Sequence, residues 1–220
     1  MPTAARRNNG SRARPEDREA RMQAILDAAL DVFAEKGFAA SRLDDVAARA
    51  GVAKGTIYLY FASKEALFEG LIRSSIVLPI ETVRHELLSR DLPAEAALRF
   101  LFAWMRRELL GTRRKEIVRL VLSEAGRFPA LAEVYHREVV SRGMGLFREI
   151  AERAAARGEF SGDELARFPQ LVIAPGLVAI LWTWLFDRFE PLDTQGLLDA
   201  HLAVLMRALK GHGPCMGPAP

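Results

Sequence analysis

"AGVAKGTIYLYFASK", Ala50–Lys64, combines two glycines, two lysines and two tyrosines with no acidic residue. Glycines close to a lysine raise the possibility of a phosphate cradle. A nucleotide-binding loop needs G-x-x-x-x-G-K-[ST] after a strand, so that backbone amides and the lysine converge on phosphates. Here Lys54 precedes Gly55, the spacing from Gly51 is wrong, and the residues before it have a helical pattern. The spacing suits a helix-turn-helix instead. Val46, Ala50, Val52, Ile57 and Tyr60 are placed to bury the seam between two short helices, with Ala47 small at their crossing. Gly51 occupies the turn, where a positive φ is cheap only for glycine. Lys54, Thr56, Tyr58 and Leu59 then project elsewhere. In such a motif the second helix enters the major groove while its partner crosses the backbone. Val46–Lys64 carries Arg49, Lys54 and Lys64 and no acid. On spacing alone, the alternative is an ordinary solvated helical hairpin.

The rest of the chain narrows the choice of class. Of 220 residues, half are apolar and 27% charged, which suffices for a core and excludes a disordered chain. The net charge of +3 is too mild to identify a partner. Cys215 is the only cysteine, so no internal disulfide forms. With His212 it makes two potential ligands on a Gly/Pro-rich stretch, short of a metal site. No metal and no cofactor are expected. The longest apolar run, Leu171–Phe186, is shorter than the ~20 residues of a membrane span and is interrupted by Pro175-Gly176. A buried helix is expected there, with no membrane partner. The N-terminal stretch lacks the apolar segment of a secretory signal, so the expected location is cytoplasmic. No G-x-S-x-G, H-E-x-x-H or G-x-G-x-x-G follows the required context, and His85, His136, His201 and His212 are scattered singly. The chain does not read as an enzyme.

Strand alternation is absent and helical periodicity is pervasive, so the fold class is all-α, with about nine helices. Met22, Ile25, Leu26, Ala29, Val32 and Phe33 form one stripe over 17–36, stopped by Gly37. Ser41 opens a short helix, with Asp44 three residues on as in a capping box. A third short helix spans 54–60, and Ser63 caps a fourth. Longer helices follow over 63–89, 93–110, 113–126, 129–157, 163–188 and 194–210. The expected organisation is a disordered basic arm (1–16), a three-helix unit (17–62), a larger helical body (63–210) and a disordered tail (211–220).

Several motifs together resemble the TetR-type transcriptional regulators: Ala50-Gly51-Val52, Gly55-Thr56-Ile57-Tyr58, Tyr60-Phe61 and Ser63-Lys64-Glu65-Ala66-Leu67, preceded by "ILDAALDVFAEKGF" and "LDDVA". The similarity covers about 17–70. It implies a helix-turn-helix DNA-binding domain at 17–62 and a ligand-binding and dimerisation domain at 63–210. By the same resemblance, Lys54 and Thr56 reach base edges, with lysine donating to guanine and the threonine methyl meeting thymine. Tyr58, Tyr60 and Lys64 hold phosphates, Ser41 and Arg42 grip the backbone, and Gly55 allows close approach of the main chain. Leu59 departs from the family pattern. Arg6, Arg7, Arg12 and Arg14 are candidates for an arm against phosphate or minor groove.

One short recognition helix reads few base pairs, and a two-fold dimer on a palindromic operator supplies the second. The nearly all-round apolar 163–188 and its neighbour 194–210 are the candidate interface. The family implies a small-molecule effector pocket in the body. Candidate lining residues are Phe100, Trp104, Met105, Glu124, Tyr135, His136, Met144, Phe147 and Trp182. Ser123–Gly143 resembles, more loosely, an AefR-like proteobacterial branch. The functional expectation is a ligand-responsive homodimeric repressor, with 63–89 as the lever between pocket and DNA. The alternative is a helical ligand-binding or protein-interaction module without sequence-specific DNA binding.

Overall fold

The computed structural model describes residues 15–160 and 162–210, and among these every regular element is helical. Arg6, Arg7, Arg12 and Arg14 of the expected arm, and the whole expected tail, lie outside the described residues. Helix α1, Pro15–Ala40, buries Ile25, Leu26, Ala29, Val32 and Phe33, as their spacing requires. Met22 does not join them and is 38% exposed. Gly37 breaks the regular helix with φ 73°.

Ser41 does not cap the next helix as its spacing suggested. Its side chain is buried, and its hydroxyl donates to the carbonyls of Val32 and Gly37, satisfying the end of α1. Helix α2, Leu43–Arg49, starts one residue later, with Arg42 as N-cap. The Asp45 carboxylate accepts from the Arg42 N–H at 3.1 Å, so the capping acid is Asp45 rather than Asp44. Gly51, with φ 66°, turns the chain, and Val52 N–H closes on the Ala47 carbonyl at 3.0 Å. Helix α3, Lys54–Tyr60, then packs back through Ile57 against buried Val46 and Ala47.

Helix α4, Lys64–Ile72, is capped by the Ser63 hydroxyl, which accepts from Ala66 N–H. It passes through a π turn, Arg73–Val77, into α5, Leu78–Ser89, as one rod. Pro79 lies near the start of α5 and has no N–H to donate to the preceding turn. The Ser75 carbonyl accepts instead from Arg114 Nε at 2.6 Å. The same solution recurs at Pro175, inside a later helix, where the carbonyl of Leu171 accepts from His201 Nε2 at 2.9 Å. Each proline frees a carbonyl that a neighbouring helix takes up, so a helix defect becomes a tie between helices.

The body continues through α6, Ala94–Trp104, with its π turn Met105–Leu110; α7, Arg114–Glu124; and α8, Pro129–Tyr135. A third π turn, His136–Val140, leads into α9, Ser141–Ala156. The expected single helix over 163–188 is two: α10, Glu164–Arg167, and α11, Gln170–Leu185. The residue before a proline is pushed out of the helical region, and Phe168, before Pro169, sits at φ −124°, ψ 63°. Helix α12, Thr194–Lys210, closes the body.

Two cores hold these helices. The first gathers α1–α4 with Ile117, Leu120, Val121 and Leu131 of the body. Phe33, Phe38, Phe68 and Phe128 meet edge to face or tilted, with centroids 5.3–6.3 Å apart. This core does not divide at residue 62, because short helices of seven residues cannot bury their own apolar faces. The second core gathers α5, α6 and α9 to α12.

Candidate nucleic-acid interface and ligand cavity

Helix α3 is anchored by one fully buried residue, Ile57, and presents much of the rest outward: Tyr58 is 49% and Leu59 79% exposed. A single exposed leucine is ordinary on a protein surface, and Leu59 gains meaning only beside Lys54, Gly55 and Tyr58, which are exposed on the same short helix. Thr56 is half-buried. Gly55 is exposed, and a Cβ built on it would meet nothing within 4 Å. The fold therefore has no internal need for glycine there.

Lys54 Nζ lies 2.7 Å from the Asp44 carboxylate, with both side chains exposed. That hydrogen bond, with the attraction of the same carboxylate, raises the Lys54 pKa, so the ammonium stays charged. The 46–64 stretch is acid-free only along the sequence; α2 supplies the missing acid in space. Arg42 is exposed and makes no ion pair among the described residues. Tyr60 is half-buried, with the Arg18 guanidinium 5.9 Å from its ring centroid.

Two expected phosphate contacts are used internally. Ser41 is 3% exposed, so its hydroxyl cannot reach DNA. Lys64 Nζ donates to the carbonyls of Phe38 (2.6 Å), Ala39 (3.3 Å) and Ser41 (3.1 Å). It also sits 4.4 Å from the Phe38 ring centroid. An ammonium has three donors, and all three are occupied in closing the corner between α1 and α2.

In the body, a cavity of about 260 Å³ opens among all three π turns. Ile76 comes from the first, Met105 and Leu109 from the second, Val139 and Val140 from the third. Of the sequence candidates, Trp104, Met105, Tyr135, Met144 and Phe147 line it. Four do not. Phe100 packs into the second core. Trp182 donates its indole N–H to the Glu190 carbonyl at 2.8 Å and meets Phe186. His136 is exposed. Glu124 lies against the end of α1, where a Cβ on Gly37 would approach its Oε1 to 2.7 Å; its Oε2 is buried without a hydrogen-bond partner among the described residues. The lining residues missed in the sequence, such as Ile80, Val83, Leu101 and Leu177, are aliphatic and carry no signal that separates a cavity wall from a core. Burial pushes the Tyr135 phenol up to about 12.

Beside the cavity, buried Glu138 receives Arg137 at 2.9 Å, Arg73 at 3.2 Å and Arg142 at 3.6 Å. The Arg137 hydrogen bond, against the opposing effect of burial and with help from Arg73, lowers the Glu138 pKa. This cluster ties the α4–α5 rod to the third π turn. On the far side, α11 buries Val172, Pro175, Ala179 and Ile180 but leaves Val178, Leu181, Trp184 and Leu185 exposed. No group of three or more potential metal ligands occurs among the described residues, and none of their helices is long and apolar enough to cross a membrane.

Residues 25–71 match the family model for bacterial regulatory proteins of the tetR family, and 80–208 that for a tetracyclin repressor-like C-terminal domain. Among curated proteins, the HTH-type transcriptional regulator RutR of Escherichia coli (strain K12) is 30% identical over 141 residues, 64% of this chain and 57% of RutR. The fatty acid metabolism regulator protein of Bacillus subtilis (strain 168) is 41% identical over 63 residues, 29% of this chain and 32% of that protein. The chain thus spans little more than half the length of RutR. Among solved structures, FadR from Bacillus subtilis in complex with stearoyl-CoA has a TM-score of 0.71 at 23% identity, covering 84% of this chain and 98% of FadR. The fatty acid degradation regulator FadR from Bacillus halodurans has a TM-score of 0.68 at 24% identity, with coverage of 84% and 94%. At those identities the likeness shows the fold.

Proposed function

Because this chain belongs to the TetR family of bacterial regulatory proteins, we propose that it is a homodimeric DNA-binding regulator. In this reading it leaves a palindromic operator when a small, largely apolar molecule enters the body. The observation that carries the proposal is the outward face of α3. Exposed Tyr58 and Leu59, a lysine paired with an exposed acid, and a glycine the fold does not need all lie on that short helix.

Lys54 and Thr56 read base edges, with Leu59 available to a thymine methyl. Arg42, Tyr58 and Tyr60 serve the phosphates. Lys54 must exchange Asp44 for DNA, so the ion pair is a resting partner. The units are α1–α3, which bind DNA, and the remaining helices, which bind effector and pair the protomers; α4 belongs to the core of the first and the covalent frame of the second. Leu67, Phe68 and Leu71 of α4 pack in the DNA-side core, while Ile76, Ile80 and Val83 farther along the same rod line the cavity. A ligand that fits a tilted rod better than an untilted one shifts the balance between the two states by its difference in affinity.

The test is fluorescence anisotropy on the DNA upstream of the protein's own gene, over a range of salt. Binding should weaken steeply as salt rises, by counterion release. Gly55→Ala should fold and lose operator affinity. Salt-insensitive binding, or no binding, would sink the proposal.

A further inference from the structure

Resting on the effector cavity just proposed, we propose that its ligand is a neutral, mostly apolar molecule carrying one hydrogen-bond acceptor, an ester, ketone or lactone, and that Tyr135 is the donor to it. Among the described residues, no lysine, arginine, histidine, aspartate or glutamate borders the cavity. Of the charged groups close by in the chain, Glu138 holds Arg73 and Arg137, and Arg119, which follows the lining residue Val118, holds Glu116 through Nη1 at 2.9 Å while its Nε is buried without a partner among the described residues; none of them lines the cavity. A carboxylate or phosphate entering the cavity would lose its water and gain no counter-charge, which is far costlier than burying a neutral group.

The polar groups that remain favour an acceptor. Tyr135 is in the wall, and no group among the described residues pairs with its hydroxyl, desolvation being the one cause that acts on it. With its pKa at about 12 the phenol keeps its proton and can donate. Trp104, also in the wall, has an indole N–H that donates only. Gln170, which can both donate and accept, is exposed and stands at the rim. Everything else around the cavity is aliphatic, aromatic or thioether. A volume of about 260 Å³ holds at least on the order of a dozen non-hydrogen atoms at interior packing density. The cavity does not enclose a whole coenzyme A thioester, whose charged head would stay in solvent beyond the exposed Gln170.

A matched series tests this on the full chain at pH 8: methyl octanoate, octanoate, octane and octanoyl-coenzyme A, titrated against tryptophan fluorescence, with operator anisotropy read in parallel. The expected result is that the ester binds at least roughly tenfold more tightly than the acid or the thioester, since the acid must shed charge hydration and the cavity does not enclose the whole thioester. Tyr135→Phe should weaken the ester roughly three- to tenfold, one neutral hydrogen bond, and leave octane unchanged. Octanoate or the thioester binding as well as the ester overturns the assignment, as does absence of ester binding. An equal loss for ester and octane in Tyr135→Phe overturns the donor role. Ester binding that leaves the operator occupied keeps the ligand class and removes the ligand-responsive reading. Release driven by octanoate does the reverse.

Discussion

Lys54 and Lys64 lie ten residues apart on what the sequence offers as one basic surface, yet the fold uses them differently. Lys64 is committed to three carbonyls and an aromatic face. Lys64→Ala is therefore expected to cost about 1.5–3 kcal/mol of stability, the range for hydrogen bonds from a charged donor, and to lower DNA binding only through unfolding. Lys54→Ala should leave the melting temperature unchanged, because exposed ion pairs contribute little, and should weaken operator binding while blurring preference at one base pair. Thermal melts paired with anisotropy separate the two outcomes; a Lys64→Ala protein that melts normally and binds poorly would restore the phosphate role. Gly55→Ala makes a sharper case. Within a helix alanine is favoured over glycine by up to about 1 kcal/mol, and nothing in the fold opposes the added methyl. A variant at least as stable as the parent but deficient in operator binding places the glycine's reason outside the protein. Glu138 belongs to the same scale. Its pKa is lowered in the folded state, so its contribution is present above the unfolded value of ~4.3 and lost as pH falls through the folded one. Glu138→Gln should reduce stability at pH 7 by about 1–2 kcal/mol, one or two charge-assisted bonds to half-solvated arginines. The difference from the parent should shrink below about pH 4, as chemical denaturation across pH would read.

At the scale of the helix, prolines decide more than periodicity does. The apolar stripes correctly give the rods, since a 3.6-residue repeat is a local property, and Gly37 and Gly51 give the stops because their positive φ is visible in residue type alone. What periodicity cannot supply is the fate of a backbone group. Pro79 is readable in the sequence, but the partner that takes up Ser75's carbonyl, Arg114, is 39 residues away. Pro169 is a break legible in the sequence, since a proline constrains the residue before it, but the continuous hydrophobic run beyond it masks the signal. The cavity was half legible for a related reason. Large or polar residues stand out in the sequence, whereas the aliphatic wall contributed by the three π turns looks like core from composition. Arg114→Met tests the tie. It should cost about 1–3 kcal/mol by leaving the Ser75 carbonyl unpaired, beyond whatever the lost Glu108 ion pair contributes, and the Ser75 part should shrink in a Pro79→Ala background, where the restored N–H can take that carbonyl. A double-mutant cycle with no coupling would show that the two groups are independent and that the bond is incidental.

For the whole molecule, the decisive question is what covers α11. Val178, Leu181 and Leu185 recur three and four residues apart and are all exposed, with Trp184 beside them and Val204 exposed on neighbouring α12. A contiguous apolar stripe of this kind is rarely left to water. Its inner face, through Leu177 and Ile173, forms part of the cavity wall. In the proposed dimer, the same helix would therefore carry ligand on one side and the partner on the other, and any ligand-driven shift would reach the protomer interface directly. Replacing Val178 and Leu181 together by glutamate places charge on the stripe without touching the cavity-lining residues. The expected protein sediments as a monomer at micromolar concentration, keeps its helical circular dichroism and still binds the methyl ester. Operator affinity should fall roughly a hundredfold or more, because two half-sites are no longer engaged as one. A variant that stays dimeric would move the interface off this face, and one that becomes monomeric but binds the operator undiminished would remove the need for a pair of recognition helices altogether.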